Sequence, residues 1–174
     1  AVSLANYGMD AAFVTKVPAH DIGQCAINEL RKYGVDTSNI LRGGKRLGVY
    51  FVEKGASQRP SKVIYDRADS AIATAKPEEF DWEKIFEGAT WFHWTGITPA
   101  VGENLPGILR DALEVCRSRK IRTYCDLNYR AALWTTEKAG SVLRDLLPYT
   151  DVCVANEEHA EQLFGITTAF TEQN

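Results

Sequence analysis

The chain has 174 residues, enough for at least one compact domain with a core of its own. Apolar residues make up 45% of it and charged residues 25%, and the net charge of −3 excludes the basic excess that a nucleic-acid partner would call for. No apolar run approaches the ~18 residues of a membrane span, and the first residues show no charged-then-apolar leader pattern, which predicts no membrane partner and a cytoplasmic place.

In chain order, AVSLANYG reads as the last turns of an amphipathic helix closed by Gly8. A start inside a helix, and a tail ITTAFTEQN that runs to Asn174 with no closing element, suggest a piece of a longer protein. The β-rich run AAFVTKV (11–17) ends at Pro18, and Asp21 is expected to cap a helix whose apolar face is Ile22, Cys25, Ala26, Leu30 and Tyr33.

Residues 39–76 change character. LGVYFVEKG and SKVIYDRADSA are β-branched and aromatic, and the polar, turn-prone GASQRP between them predicts an antiparallel hairpin. From Arg42 to Arg67 there are seven basic residues (Arg42, Lys45, Arg46, Lys54, Arg59, Lys62, Arg67) against two acids, Glu53 and Asp66. That excess fits an edge hairpin protected by charge, and it fits equally a site for an anionic ligand.

From Phe80 a regular rhythm follows: a short helix in DWEKIF, a strand in ATWFHW, a helix in ENLPGILRDALEVCRSR, and a strand in IRTYCD. Then come a helix in EKAGSVLRDLLPY, a strand in DVCVAN and a helix in EEHAEQLFG ended by Gly165. Alternation at this spacing predicts an α/β fold, a parallel sheet with helices on both faces. The expected division is an α/β core of residues 1–38 and 77–174 with a β-hairpin, 39–76, inserted in it. The cysteines (Cys25, Cys116, Cys125, Cys153) stand apart with no C-x-x-C pair, and read as structural thiols of a reducing compartment.

Ligands of open α/β sheets bind beyond the carboxyl ends of the strands. Three successive strands end there in polar clusters: Thr95 to Thr98, then Asp126, Asn128, Tyr129 and Arg130, then Asn156, Glu157 and Glu158. Asn156 suits a helix cap as well as a ligand contact. Arg130 suits a carboxylate or phosphate, or a neighbouring acid. A dinucleotide fold has little support, because no G-x-G-x-x-G follows a strand.

CDLNYRAALW (125–134) resembles the D-x-N-x-R-x-x-L-W segment of the ribokinase-like (PfkB) sugar kinases. HWTGITPA (93–100) is similar to the S-G-I-T-P-A turn of the 2-keto-3-deoxygluconate kinases within that family, and VANEEHAEQLFG resembles their N-E-x-E-A-E-x-L-x-G stretch. The resemblance runs in order along nearly the whole chain. It implies the ribokinase-like fold with the hairpin as a small inserted β lid, and phosphorylation of a sugar acid by ATP with magnesium. It also implies that Tyr50, Tyr65, Arg67, Ile97 and Arg130 contact the sugar acid, Arg67 through its carboxylate. Asn128, Tyr129, Arg130 and Asn156 would lie at the ATP, and Glu158 would reach magnesium through water. Lids of this family pair between subunits, which implies a homo-oligomer.

There are departures. His159 stands where the family places an acid three residues after the Asn and is expected at the surface, and the family's V-G-x-D-x-x-G turn is here VPAHDIG (17–23). The G-A-G-D stretch that carries the family's Asp base does not occur in the 174 residues, nor does G-G-x-x-x-N. The resemblance thus implies no catalytic residue within the chain and a base that lies beyond Asn174. The chain alone is therefore expected not to catalyse. The other readings are a non-catalytic sugar-acid-binding module, a fructokinase- or ribokinase-type enzyme, and a structural fragment without a ligand.

Overall fold

The computed structural model describes residues 1–167. The last part of the expected tail, 168–174, lies outside the described residues, and so does the expected place of the base, past Asn174. Two compact units divide the chain, Ala1–Ala75 and Lys76 onward.

In the first unit, helix α1 (Val2–Asn6) runs out at Gly8, whose φ of 79° only glycine adopts without strain. Strand β1 (Thr15–Val17) leads to helix α2 (Asp21–Arg31), and β2 (Ile40–Arg42) lies parallel to β1 with Thr15 opposite Ile40. β2 is not among the strands expected from the sequence, since three residues are too few to show a period. The N-cap of α2 is His20 rather than Asp21, which sits in the first turn. The inward face of α2 is Gly23 and Ile27, and Ile22 and Cys25 are exposed, contrary to the expected face. Gly23 explains the rotation: a Cβ there would stand 2.0 Å from the Pro18 carbonyl oxygen, so the helix rests on the chain where only glycine fits. Val17, Ile27 and Ile40 form the small core. The expected hairpin is present as β3 (Val49–Glu53) and β4 (Lys62–Asp66), antiparallel, with Tyr50 opposite Tyr65 and Val52 opposite Val63.

The second unit is the regular α/β part. Helix α3 (Trp82–Ile85) precedes β5 (Trp91–Thr95), then α4 (Leu105–Arg119), β6 (Arg122–Asp126), α5 (Thr136–Leu146), β7 (Val152–Val154) and α6 (Glu157–Phe164). The strands form a parallel sheet in the order β5-β6-β7, with Thr95 opposite Asp126 and Asp126 opposite Val154. Trp94 and Cys125 face Leu109 and Leu113 of α4, Leu143 and Leu146 of α5, and Leu163 of α6, forming the main core. Leu113 and Leu143 are fully buried, each such side chain contributing roughly 2 kcal/mol through the area it removes from water. The opposite face of the sheet carries Trp91 under the Arg122 guanidinium and the paired rings of His93 and Tyr124. Of the cysteines, Cys116 and Cys125 are buried as expected, and burial pushes the Cys116 thiol up to about 12. Cys25 and Cys153 are exposed. No described helix is long and apolar enough to cross a membrane.

Candidate functional site

Candidate residues occur in both units, and each set is held by different forces. In the hairpin, strand alternation puts Tyr50, Val52, Val63 and Tyr65 on one face, and Arg67, two residues past Tyr65, continues it. The tyrosine rings lie 6.2 Å apart at 43°. The Arg67 guanidinium stands over both, 4.6 Å from the Tyr65 centroid and 5.7 Å from that of Tyr50. A cation on two aromatic faces is held by their quadrupoles and keeps its N–H edge open for an anion. Tyr50, Tyr65 and Arg67 are thus brought together.

The nearest acid by sequence, Asp66, points to the other face and is gripped by Arg46: Nη1 donates to Oδ1 at 2.7 Å and Nη2 to Oδ2 at 2.5 Å. That fork holds the Asp66 carboxyl below the usual carboxylate range. Among the described residues Arg67 makes no ion pair, so a structural balance between Arg67 and Asp66 is not what is found. In the sequence Arg46 is one of seven basic residues, and its bidentate partner lies twenty positions away, beyond any local signal.

In the second unit the carboxyl edge of the sheet is stitched across β5 and β6. The Thr95 hydroxyl accepts from the Ile97 N–H at 3.4 Å and from Asn128 Nδ2 at 3.3 Å. The Gly96 N–H donates to the Asp126 carbonyl at 2.8 Å, and a Cβ on Gly96 would stand 2.1 Å from the Leu127 carbonyl oxygen. Asn128 adopts φ 40°, a left-handed turn that asparagine tolerates, with its N–H on the Asp126 carboxylate at 3.1 Å. This bend sends Tyr129 inward and Arg130 outward. Tyr129 is buried in the main core, its hydroxyl donating to the Trp134 carbonyl at 3.2 Å. Arg130 is exposed, with one Nη1 bond to the Tyr129 carbonyl at 3.1 Å and no described acid partner. Ile97 is half-buried beside the turn of Thr98–Ala100. Thr95, Ile97, Asn128 and Arg130 therefore share one edge, and Tyr129 supports it from below.

At the end of β7, Asn156 caps α6, its Oδ1 accepting from the His159 N–H at 2.7 Å. The cap expected as one of its two roles is present, and its amide group is left for another partner. Glu158 is exposed and accepts from Gln162 Nε2 at 2.9 Å. His159 is not the plain surface residue expected: it is half-buried, its ring edge-on to Tyr129 at 5.8 Å. Among the described residues no three of His, Cys, Asp and Glu converge to hold a metal ion.

The donor set suits a nucleotide's phosphates in one respect: Arg130 offers an exposed guanidinium with no acid partner among the described residues. Glu157 and Glu158 in the first turn of α6 repel a bare phosphate and suit a hydrated cation.

Known proteins align with this arrangement. The family model for pfkB family carbohydrate kinases matches residues 1–173. The crystal structure of 2-dehydro-3-deoxygluconokinase from Thermotoga maritima superposes with a TM-score of 0.94 at 55% identity, covering 97% of this chain and 52% of that one. That of a PfkB family carbohydrate kinase from Listeria grayi superposes with a TM-score of 0.94 at 32% identity, covering 99% and 54%. The 2-dehydro-3-deoxygalactonokinase of Haloferax volcanii is 38% identical over 157 residues, 90% of this chain and 49% of the relative. The chain spans about half the length of the relatives it matches. With the α/β order, the inserted antiparallel pair and the family match in agreement, the chain belongs to the pfkB family of carbohydrate kinases and has its ribokinase-like fold.

Proposed function

We propose that the complete protein carrying these residues phosphorylates 2-dehydro-3-deoxygluconate (2-keto-3-deoxygluconate) at its terminal hydroxyl, using ATP and magnesium in the cytoplasm. The observation that carries this reading is Arg67, a guanidinium stacked on Tyr50 and Tyr65 with no acid partner among the described residues. Such a cation accepts a carboxylate in bidentate fashion, whereas a neutral sugar would leave it unpaired. The 55% identity to the Thermotoga maritima 2-dehydro-3-deoxygluconokinase supports the gluconate form. The Haloferax volcanii relative is named for the galactonate form, the epimer at C4, so discrimination between the two falls on contacts to one hydroxyl.

In this proposal residues 39–76 act as the sugar lid, and 1–38 with 77–174 as the α/β core. The exposed apolar residues of the hairpin, Phe51 and Ile64 among them, suit pairing with the lid of a second copy. Ile97 gives the sugar acid an apolar contact. When bound, ATP supplies the phosphoryl group that is transferred. Arg130 lies between sugar acid and nucleotide and offsets charge that builds on the transferring group, which is the main thing a protein contributes to such a step. Asn128 and Asn156 donate amide hydrogen bonds to the nucleotide, Tyr129 fixes the bend that presents Arg130, and Glu158 holds magnesium through water.

The Asp base and its anion hole belong to a G-A-G-D segment that residues 1–174 do not contain, and in this proposal it follows Asn174 in the complete protein. The 174-residue polypeptide by itself is expected to transfer no phosphate, and ATP-dependent phosphorylation by it would contradict that. An ADP-release assay on the complete protein tests the main reading, with 2-dehydro-3-deoxygluconate, its galactonate epimer, fructose and ribose side by side. Preference for a sugar acid is expected. Preference for fructose or ribose would keep the reaction and overturn the substrate class, and silence on all four would favour a binding module.

A further inference from the structure

We propose that Arg46 is a positioning residue that sets Arg67 for the carboxylate of the sugar acid, by clamping the backbone on both sides of it and by occupying the neighbouring Asp66. The inference rests on the proposed role of Arg67.

Four bonds from one guanidinium carry it. Besides its fork on the Asp66 carboxylate, Arg46 donates from Nη2 to the Asp66 carbonyl at 3.2 Å and from Nη1 to the Ala68 carbonyl at 3.2 Å. These are the residues immediately before and after Arg67. The Arg46 carbonyl in turn accepts from the Ala71 N–H at 2.8 Å, and the Arg67 carbonyl accepts from the Ser70 N–H at 3.3 Å, so the turn after β4 folds around Arg46. Asp69 in that turn sits at φ 54°, a left-handed conformation that aspartate tolerates better than most residues. It still carries a cost that glycine does not bear, so bonds that hold the turn help to keep it there. The direction of the Arg67 side chain follows from this backbone, because alternation along the strand places Asp66 on one face and Arg67 on the other.

Charge gives a second reason. A carboxylate next to a recognition arginine, even on the other face of the strand, adds negative charge that repels the ligand's own carboxylate. Arg46 offsets that charge by taking both Asp66 oxygens in the planar geometry that only arginine offers. The two arginines are thus divided: one serves the protein's acid, the other is left for the substrate's.

The test uses the complete kinase with 2-dehydro-3-deoxygluconate and ATP, comparing wild type, Arg46→Ala, Arg46→Lys, Arg67→Ala and the double Arg46→Ala/Arg67→Ala variant. Thermal melting reports whether each variant is folded. Arg46→Ala is expected to raise KM for the sugar acid about 10-fold with kcat and the KM for ATP unchanged, since the binding lost is at a remote group and is common to the ground and transition states. Arg46→Lys, which keeps the charge and loses the fork, should fall between, which keeps the inference testable if the alanine variant melts early. In the Arg67→Ala background, Arg46→Ala should add nothing further. A wild-type KM for Arg46→Ala or for Arg46→Lys, or full additivity with Arg67→Ala, would overturn the positioning role while leaving Arg67 intact. A wild-type KM for Arg67→Ala would instead overturn the reading of Arg67 itself, and this inference with it.

Discussion

The hairpin of the first unit and the carboxyl edge of the sheet in the second present their candidate residues by opposite means. Tyr50, Phe51, Ile64 and Tyr65 are all exposed, and what organises the hairpin is charge and ring contact: Arg67 on two tyrosines on one face, Arg46 on Asp66 on the other. At the sheet edge, Gly96, Asn128 and Tyr129 are fixed by backbone bonds, a left-handed turn and burial in the main core. The difference teaches where a substitution is felt. Losses in the hairpin should appear in binding with little change in stability, and losses at the edge should appear first in folding.

The hardest blow to this contrast comes at Gly96. Gly96→Ala would press a Cβ to 2.1 Å from the Leu127 carbonyl oxygen, backbone that cannot step aside. It should cost about 3 kcal/mol or more in urea denaturation, and an unaffected midpoint would show the edge to be softer than described. Asn156→Ala is a milder probe of the same region. Removing the cap of α6 should cost about 1 kcal/mol, with Asn156→Asp nearly neutral in the same denaturation series. If Asn156→Ala instead left stability alone and raised the KM for ATP, the ligand role of the residue would outweigh its structural one.

The smallest effect lies in acid. Asp151 accepts from the Thr123 N–H at 2.7 Å, and that bond together with the Thr123 hydroxyl holds its carboxyl below the ordinary value. A depressed carboxyl contributes stability that is full above the unfolded value of about 3.9 and is lost as pH falls through the lower folded value. Asp66, held down by Arg46, follows the same sign. The wild type should therefore lose stability below about pH 4, and Asp151→Asn should flatten that slope without changing the profile near pH 7. An identical acid limb in both proteins would remove Asp151 from the account.

From Phe80 onward, helices α4, α5 and α6 were legible in sequence because each is long enough to show its period. The short α3 and the strands were legible because they stand between turns as apolar or aromatic runs at regular spacing, and the hairpin because β-branched and aromatic runs flank a turn. The polar edge was legible as a cluster for the same reason. The three residues of β2 were not, and neither was the face of α2, where the contact of Gly23 with Pro18 decides the rotation against the apolar pattern of Ile22 and Cys25. At the sites the limit was pairing across distance. Nothing local tells that Arg46 takes Asp66 or that His159 meets the Tyr129 ring.

The measurement that bears most directly on the central claim is kcat/KM of wild type and Arg67→Met for 2-dehydro-3-deoxygluconate and for fructose, in the complete protein. Methionine keeps bulk on the tyrosine rings and removes the charge. The account predicts a loss of about 100-fold with the sugar acid, the scale of a charge-assisted pair, with no comparable loss for fructose. Equal losses on both sugars, or none on either, would contradict it.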